Sequence, residues 1–389
     1  MLNYNVLFLL GGDMKNIFNI PTPFIKVNNK KLYQNIKKIQ MVAQKNNSKL
    51  YPHFKTHKSL FIADRQIFDG AEGITSAKIS EAEILVEKGI SNIIIAYPIV
   101  SKFKMNRFLN IYEKADISLI IDSFRHAELL NSFFIKRGVS DVNCFVKIDT
   151  GLNRLGFTLK EKPEIQIPKI FQKCKNLNFK GILSHAGHSY SATNIECVKK
   201  IGIDEEKYMN LLNESLKKSI GNSIYSTGAT PVVSVLEDFK AEIIRPGNYV
   251  FYDNTALSIG YADINECALR VVSQVISVRG NKIVIDAGSK TLGLDKGVHS
   301  SNIIKDYGAI IRDIGSNNIE KDFVLSRLSE EHGIIETSIK NNVKIGDYIE
   351  IIPNHSCYVM NLFDDFYIVD NDEITVIDKI KVDARGKVE

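Results

Sequence analysis

Short apolar runs alternate with longer segments of mixed polar and apolar residues between about residue 23 and residue 245. Runs such as Ile93–Ala96 and Leu119–Ile121 are apolar on both faces, which is typical of parallel strands covered by helices. The intervening segments carry apolar residues at helical spacing, as at Leu32, Ile36 and Ile39. The predicted strands are Phe24–Val27, Lys49–His53, Gly73–Thr75, Asn92–Tyr97, Ile117–Asp122, Asn143–Asp149, Phe179–His185 and Ile224–Ser226.

This alternation predicts an α/β fold of about eight strand–helix units, which fits a (β/α)8 TIM barrel better than an open doubly wound sheet. No Gly-x-Gly-x-x-Gly motif follows a predicted strand, so the fingerprint of a dinucleotide-binding sheet is missing.

After about residue 262 the pattern becomes rich in β-branched residues. Leu269–Val278 and Lys282–Asp286, joined through Arg279-Gly280-Asn281, are predicted to form a hairpin. Further strands are predicted at Tyr348–Ile352, Phe366–Val369 and Glu373–Val376. The chain is therefore divided into an N-terminal extension (1–19), a barrel (20–262) and a mostly antiparallel C-terminal β-domain (263–389).

Composition adds mainly exclusions. The 389 residues include 50 Lys+Arg and 45 Asp+Glu, a net charge of +5 with no basic arm, which gives no support to nucleic-acid or membrane-surface binding. No apolar run approaches the ~20 residues that span a bilayer, and Val6–Leu10 lacks the features of a signal peptide. The five scattered cysteines do not form a disulfide framework. These features predict a cytoplasmic protein.

The segment from Pro52 to Lys58 ends a predicted strand, where the catalytic residues of barrels are found. If it stays extended, His53, Lys55 and His57 project to one face and Lys58 to the other. A lysine in a barrel mouth would be desolvated, and its neutral amine could condense with an aldehyde. Taken alone, this placement does not set Lys55 apart from a solvated loop lysine, which is the commoner case.

Three later segments also place polar side chains at strand ends. Lys147–Phe157 contains an acid, a glycine-bearing loop and Arg154, which alone could be an ordinary turn with an ion pair. Ser226–Pro231 and Arg245–Tyr249 offer small and hydroxylated residues whose backbone N–H groups could cradle a phosphate, although a generic glycine turn has the same composition.

The segment from Pro353 to Cys357 follows the predicted strand Tyr348–Ile352. On an extended backbone His355 and Cys357 share a face and could reach one ion. Imidazole plus thiolate favours zinc or a similar ion, and two protein ligands leave positions open for substrate. A lone His-x-Cys is also compatible with a buried cysteine beside a surface histidine.

These segments, taken in order, resemble the fold-type III pyridoxal-phosphate enzymes, specifically the D-threonine aldolase/D-serine dehydratase-like family. The resemblance runs from Thr22 to about Asp370. It is carried by Pro52–Lys58, Gly73–Glu83, Lys147–Phe157, Ser184–Tyr190, Ser226–Pro231, Arg245–Phe251, Leu328–Gly333 and Pro353–Asn361. It implies an alanine-racemase-like barrel, a homodimer and a C-terminal β-domain that helps to complete the active site.

The resemblance also implies residue roles. Lys55 is similar to the lysine that holds pyridoxal 5'-phosphate as an internal aldimine, and Arg154 to the arginine at the cofactor's phenolic oxygen. Arg245 resembles the arginine that faces the pyridine nitrogen in alanine racemases, while Leu183 stands where D-serine dehydratases of the family often carry tyrosine. The remaining cofactor contacts implied are His185, Tyr190, Thr227, Gly247 and Asn248, and the implied divalent-metal ligands, for zinc or manganese, are His355 and Cys357.

The implied activity is a lyase reaction on small D-β-hydroxy-α-amino acids. Metal activation of the β-hydroxyl would give either elimination of water, as for D-serine, or retro-aldol cleavage, as for D-threonine. The His-x-Cys pair resembles the zinc-dependent dehydratases, whereas aldolases can use His-x-Asp. Two alternatives stay open: an amino-acid racemase with Tyr261 as second acid/base, and a non-catalytic pyridoxal-phosphate-binding protein.

Overall fold

The computed structural model describes residues 16–297 and 304–389. Its contacts divide the chain into two compact units. The barrel unit is Ile36–Tyr249 with Gly386–Glu389, and the β unit combines the described residues up to Asn35 with Val250–Arg385. Residues 1–15 of the predicted extension lie outside the described residues, as do the apolar residues Val6–Leu10.

Seventeen strands are present in the described part of the chain: β1 (Phe24–Asn28), β2 (Lys49–Leu50), β3 (Ile74–Ser76), β4 (Asn92–Ile95), β5 (Asp116–Ile121), β6 (Val142–Lys147), β7 (Leu177–Leu183), β8 (Ile224–Thr227), β9 (Ile243–Ile244), β10 (Leu269–Arg279), β11 (Lys282–Ile285), β12 (Ala309–Ile311), β13 (Phe323–Leu328), β14 (Gly333–Thr337), β15 (Tyr348–Ile352), β16 (Asp365–Val369) and β17 (Val376–Lys381).

The α-helices of the same residues are α1 (Asn29–Lys45), α2 (Leu60–Phe68), α3 (Ile79–Glu87), α4 (Lys102–Tyr112), α5 (Phe124–Arg137), α6 (Pro163–Lys173), α7 (Ile195–Ile220), α8 (Thr230–Val235), α9 (Asn254–Ile259), α10 (Ser289–Leu292) and α11 (Ser356–Met360). None of the described helices is both long and apolar enough to cross a membrane. The predicted cytoplasmic location stays a prediction.

The barrel unit contains an eight-stranded parallel sheet in the order β2-β9-β8-β7-β6-β5-β4-β3. A parallel bridge between His53 and Thr75, just beyond β2, joins the two ends of this order and closes the barrel. Its interior is filled by one apolar side chain from each of five strands: Ile94, Ile120, Phe145, Leu183 and Ile243. The predicted (β/α)8 class is therefore confirmed, and Leu183 belongs to this packed core.

One predicted barrel strand was wrong. Phe24–Val27 lies in β1, which pairs antiparallel with β10 and parallel with β16 in the β unit. A short apolar run looks the same in either kind of sheet, so its periodicity could not assign its partners. The missing barrel strand is β9, whose two residues are too few to show any period.

The β unit is built on a nine-stranded sheet that includes β1 and β10–β17. Apart from the β1–β16 pair, its ladders are antiparallel. The predicted hairpin is confirmed as β10 and β11, with Gly280 at φ +60° in the turn. The predicted strand Glu373–Val376 was misplaced, because β17 begins only at Val376, after the hydrogen-bonded turn that contains Glu373.

Candidate active site

Five neighbouring barrel strands carry the residues that the sequence analysis singled out in the first unit. In the order of the sheet these strands are β2, β9, β8, β7 and β6. The carboxyl ends of these strands and the turns that follow them contribute, in the same order, Lys55, Arg245, Thr227, His185 and Arg154. Because the strands are parallel and adjacent, all five turns lie at the end of the barrel where catalytic groups are found.

Lys55 lies in a single 3-10 turn, Phe54–Thr56, that begins directly after the His53 bridge. The extended backbone expected here is therefore wrong, and the alternation of faces does not apply. Lys55 itself is exposed, so the desolvation expected for it is also wrong. His57 and Lys58, which directly follow the turn, are buried.

The loop after β6 is organised around the carboxylate of Asp149. This carboxylate accepts hydrogen bonds from the backbone N–H groups of Gly151 (2.9 Å), Asn153 (3.0 Å) and Arg154 (2.9 Å). Burial raises the pKa of Asp149, but these three N–H groups lower it more, and its net shift is downward. The acid thus shapes the loop that carries Arg154.

Arg245 is buried and follows β9 directly. Its guanidinium donates to the Ser226 hydroxyl, to the Ser184 carbonyl and, at 3.3 Å, to the Thr227 carbonyl. Burial lowers its pKa, opposed by the carboxylate of Glu205. Three hydrogen bonds to neighbouring strand ends hold this arginine in one orientation.

Two glycines lie in closely packed backbone at the ends of β8 and β9. Gly228 has φ +127°, and a Cβ atom there would lie 2.7 Å from the backbone nitrogen of Arg245. A Cβ on Gly247 would lie 2.5 Å from Thr56 Oγ1. Only glycine therefore fits at either position, because neighbouring protein atoms occupy the space that a Cβ atom would need.

The other expected cofactor contacts lie in nearby turns. His185 follows β7, with Nδ1 3.1 Å from the Gly228 carbonyl oxygen. Tyr190 is buried in the 3-10 turn Gly187–Ser191. Thr227 and Asn248 are both buried, in the segments that also contain the two glycines.

The electrostatic surroundings of these turns are cationic. Burial, then the charge of Lys55, lowers the pKa of His53 and of His185 well below the usual range, so both imidazoles are neutral at pH 7. Burial, then the charge of Arg245, lowers the pKa of Lys147 to about 7, opposed by Glu205. Neighbouring positive charges repel one another and lower one another's pKa, and a bound anion would relieve this repulsion.

Sequence reasoning gave no role to Lys147 or Glu205. Lys147 is buried at the end of β6, and its position inside the apolar run Phe145–Ile148 was the available signal. Glu205 is buried in the middle of α7, where it accepts hydrogen bonds from Ser184 Oγ (2.7 Å) and Thr150 Oγ1 (3.3 Å). Nothing in the helical pattern distinguishes this acid from its exposed neighbours.

The β unit contains the second group of candidate residues. His355 is the N-cap of α11, and Cys357 lies in that helix's first turn, so the extended backbone predicted between them was wrong. The two side chains are nevertheless hydrogen-bonded to each other. Burial lowers the pKa of His355, but hydrogen bonds with Asp295 and Cys357 raise it to about 10.

Asp295 was not identified from the sequence. Its Oδ2 lies 3.0 Å from His355 Nδ1, across 60 residues of chain. Within the described residues, no three His, Cys, Asp or Glu side chains are grouped so that they could hold an ion. An ion held by His355 and Cys357 alone would keep open coordination positions, which is typical of catalytic rather than structural sites. The N/S donor pair fits zinc.

Tyr261, the residue considered for a racemase, is buried directly after Gly260, the C-cap of α9. Its ring centroid lies 6.3 Å from that of Tyr252.

Comparison with known families identifies both halves of the chain. Residues 27–255 match the model described as "Alanine racemase, N-terminal domain". Residues 268–369 match the "Putative serine dehydratase domain".

Curated relatives match nearly end to end. A D-serine dehydratase of Dictyostelium discoideum is 27% identical, covering 92% of this chain and 95% of that protein. A D-threo-3-hydroxyaspartate dehydratase of Delftia sp. (strain HT23) is 26% identical, covering 88% and 92%.

Solved structures share the fold. The Delftia dehydratase superposes with a TM-score of 0.86 at 24% identity, covering 94% of this chain and 98% of its own. One of its cysteine-to-alanine variants is described as the metal-free form. A D-threonine aldolase from Filomicrobium marinum gives a TM-score of 0.83 at 23% identity, covering 97% and 100%. Because the first family model covers more than half of the 389 residues, this chain belongs to the alanine racemase N-terminal domain family of fold-type III pyridoxal-phosphate enzymes, here joined to a serine dehydratase domain.

Proposed function

We propose that this protein is a pyridoxal-phosphate- and divalent-metal-dependent lyase that acts on D-β-hydroxy-α-amino acids, with elimination of water as its reaction. The observation that carries the proposal is the hydrogen-bonded pair His355 and Cys357 inside the matched serine dehydratase domain. A racemase needs no such pair of metal-type donors. A non-catalytic pyridoxal-phosphate carrier needs no second domain at all.

The residues at the carboxyl end of the barrel fit pyridoxal phosphate. Lys55 supplies an exposed amine for the covalent link, and the backbone at Gly228 and Gly247 would hold the phosphate. Thr227, Asn248, Tyr190 and His185 line the same turns, while Arg245 would face the pyridine nitrogen and Arg154 the phenolic oxygen. When bound, the cofactor supplies an electron sink for negative charge at the substrate's α-carbon.

Lys55 would then move the proton at that α-carbon, because its amine is released when the substrate's amine takes its place. Arg245 is oriented for its role by Ser226, Thr227 and Ser184, and cannot rotate away without losing three hydrogen bonds. Arg154 is presented by the Asp149-centred loop.

His355 and Cys357 would hold the divalent ion, zinc being the best match to nitrogen and sulfur donors and manganese the alternative. The ion supplies positive charge for the β-hydroxyl, which makes that group easier to expel. Loss of the hydroxyl as water leaves an enamine that tautomerises to an imine, and water hydrolyses this imine, so that D-serine gives pyruvate and ammonia. The second candidate reaction is cleavage of the Cα–Cβ bond, which converts D-threonine to glycine and acetaldehyde. It is included because some relatives are D-threonine aldolases.

A single set of incubations tests the proposal. The purified protein is supplied with pyridoxal phosphate and given D-serine, D-threonine, D-threo-3-hydroxyaspartate or D-alanine, with and without Zn²⁺ or Mn²⁺. Metal-dependent release of ammonia and a 2-oxo acid supports the dehydratase. Glycine plus an aldehyde would make it an aldolase, and interconversion of D- and L-alanine alone would make it a racemase.

The same preparation tests assembly. We propose a homodimer, as the resemblance implies, and light scattering of the cofactor-loaded protein should give twice the 43.8 kDa chain mass. A monomer that is fully active would contradict this.

A further inference from the structure

Asp295 contacts the imidazole of His355 at its Nδ1 atom. Its Oδ2 lies 3.0 Å from Nδ1, the distance of a charge-assisted hydrogen bond. With a carboxylate as its acceptor, Nδ1 carries the ring proton, and the lone pair of a neutral imidazole then belongs to Nε2. The ring is thus fixed in the tautomer that offers Nε2 as a ligand.

Asp295 is itself held in place by Asn354, the residue before His355. The Asn354 side chain is buried, and its Nδ2 donates to the carbonyl oxygens of Asp295 (3.2 Å) and Asp306 (2.7 Å). Its Oδ1 accepts from Asn254 Nδ2 at 2.8 Å. All the hydrogen-bonding groups of this amide are therefore engaged, which makes it a rigid tie between the Asp295 segment and the end of β15.

A buried acid, Asp253, fixes the backbone between the two candidate ligands. Asp253 Oδ2 accepts a hydrogen bond from the N–H of Ser356 at 3.1 Å, and its Oδ1 accepts from the N–H of Ala256 at 3.2 Å. Asp253 is fully buried. The backbone that carries His355 and Cys357 is thereby held by Asp253. The orientation of the imidazole depends instead on Asp295.

We infer that Asp295 is the positioning residue of the metal site: it orients His355 so that Nε2 faces the ion, and Asn354 holds Asp295 for that task. The inference rests on the metal dependence in the proposed function. Asp295 acts through the ring rather than as a ligand, because its carboxylate is engaged with Nδ1, whereas the lone pair that can bind an ion is on Nε2. Partners of this kind strengthen metal binding by about 10–100-fold.

Direct metal binding tests this without relying on turnover. The affinity of the tag-free, cofactor-loaded protein for Zn²⁺ is measured by competition with a chromophoric chelator, and Co²⁺ loading is followed through its thiolate charge-transfer band. The variants are Asp295→Ala, Asp295→Asn and the control Asp322→Asn, which removes the same charge from an exposed residue bonded to Ser338 (2.9 Å). Cofactor absorbance reports whether each variant is folded and loaded.

We expect Asp295→Ala to bind Zn²⁺ about 10–100-fold more weakly while its Co²⁺ complex keeps the thiolate band. Asp295→Asn, whose amide oxygen can still accept from Nδ1, should fall between Asp295→Ala and the wild type, and Asp322→Asn should match the wild type.

Wild-type affinity in Asp295→Ala would overturn the inference and leave the proposed function standing. Equal loss in Asp295→Ala and Asp295→Asn, with altered Co²⁺ ligand-field bands, would make Asp295 a ligand and also overturn it. No Zn²⁺ binding by the wild type would instead refute the metal dependence itself.

Discussion

The amine of Lys58 lies 3.5 Å from a carboxylate oxygen of Glu81, and both side chains are buried. The same amine donates to the carbonyl oxygen of Lys387 at 3.1 Å. Glu81 is held in turn by the N–H of Ala77 at 2.7 Å. Lys58 is therefore fully engaged in the structure of the barrel unit, whereas Lys55, three residues earlier, is exposed.

This difference predicts which lysine carries the cofactor. Borohydride reduction followed by peptide mapping should place the pyridoxyl group on Lys55, and Lys55→Ala should abolish both the adduct and turnover. Lys58→Met should keep the adduct on Lys55, although it leaves Glu81 buried without its partner, at a cost of up to about 3–5 kcal/mol of stability.

Burial already raises the pKa of Glu81, so this carboxyl can take up a proton and limit that cost. Lys58→Met/Glu81→Gln, which removes both charges, should recover most of the stability in urea unfolding. An adduct that maps to Lys58 would refute the assignment.

Removing either His355 or Cys357 should separate metal from cofactor. His355→Ala and Cys357→Ala are each expected to lower activity on β-hydroxy amino acids by roughly 100-fold or more, since the charge supplied to the leaving hydroxyl is lost. Metal content by mass spectrometry should fall, while the absorbance of bound cofactor stays. Cofactor loss together with metal loss would indicate a structural ion, and chelator-resistant activity would exclude metal assistance.

The imidazole of His57 should make the protein acid-sensitive. Burial lowers its pKa to about 3, opposed in part by the contact of its ring with the backbone of Ser59, which raises it. In the unfolded chain its pKa is about 6.5. Between these values the unfolded chain binds a proton that the folded chain does not, so the free energy of unfolding falls as the pH drops from about 6.5 toward 3, by up to about 1.4 kcal/mol per pH unit.

His57→Asn tests this contribution. His57 Nδ1 lies 3.2 Å from the Ser59 nitrogen, a contact that an asparagine side chain can also reach. In urea unfolding at several pH values, the variant should lose less stability than the wild type between pH 6.5 and 4.5. His332→Asn, at an exposed histidine, should follow the wild type. If the free energy of unfolding changed with pH in the same way for His57→Asn and the wild type, the prediction would be wrong.

The Asp149 carboxylate should matter for cofactor binding through Arg154. Asp149→Ala removes the acceptor of three backbone N–H groups and frees the loop, so we expect about tenfold weaker binding of pyridoxal phosphate in a fluorescence titration, equivalent to ~1.4 kcal/mol. Asp204→Ala, at an exposed acid of α7, is the matched control. Because the pKa of Asp149 is lowered in the folded protein, its carboxylate is charged at neutral pH. Its contribution to the stability of the loop is lost only below about pH 4.

Stereochemistry provides the test against a racemase. One lysine on one face of the cofactor reaches the α-proton of one enantiomer only, and the family precedent makes that enantiomer D. Chiral chromatography should show consumption of D- but not L-β-hydroxy amino acids, and no interconversion of alanine. Racemisation at rates comparable to the lyase reaction would mean that Tyr261 or another acid acts from the second face.

The local sequence determined the repeating architecture and the positions of the strand-end motifs. Runs that are apolar on both faces mark barrel strands, and the polar residues that follow them lie at the carboxyl ends by necessity, because all barrel strands are parallel. Lys55, Arg154 and Thr227 could be found in this way. The spacing of Lys55 and Lys58, three positions apart, could not show which of the two lysines is buried.

Only the tertiary structure decided which groups meet across the chain. Pairing partners are not encoded in the period of a short apolar run, so β1 was assigned to the wrong sheet and β9 was missed. Burial of Lys147 and Glu205 depends on strands and helices far apart in sequence. The Asp295–His355 contact spans 60 residues and depends on the amide of Asn354. A hydrogen bond of this kind forms because folding brings its two partners together, and no local pattern records it.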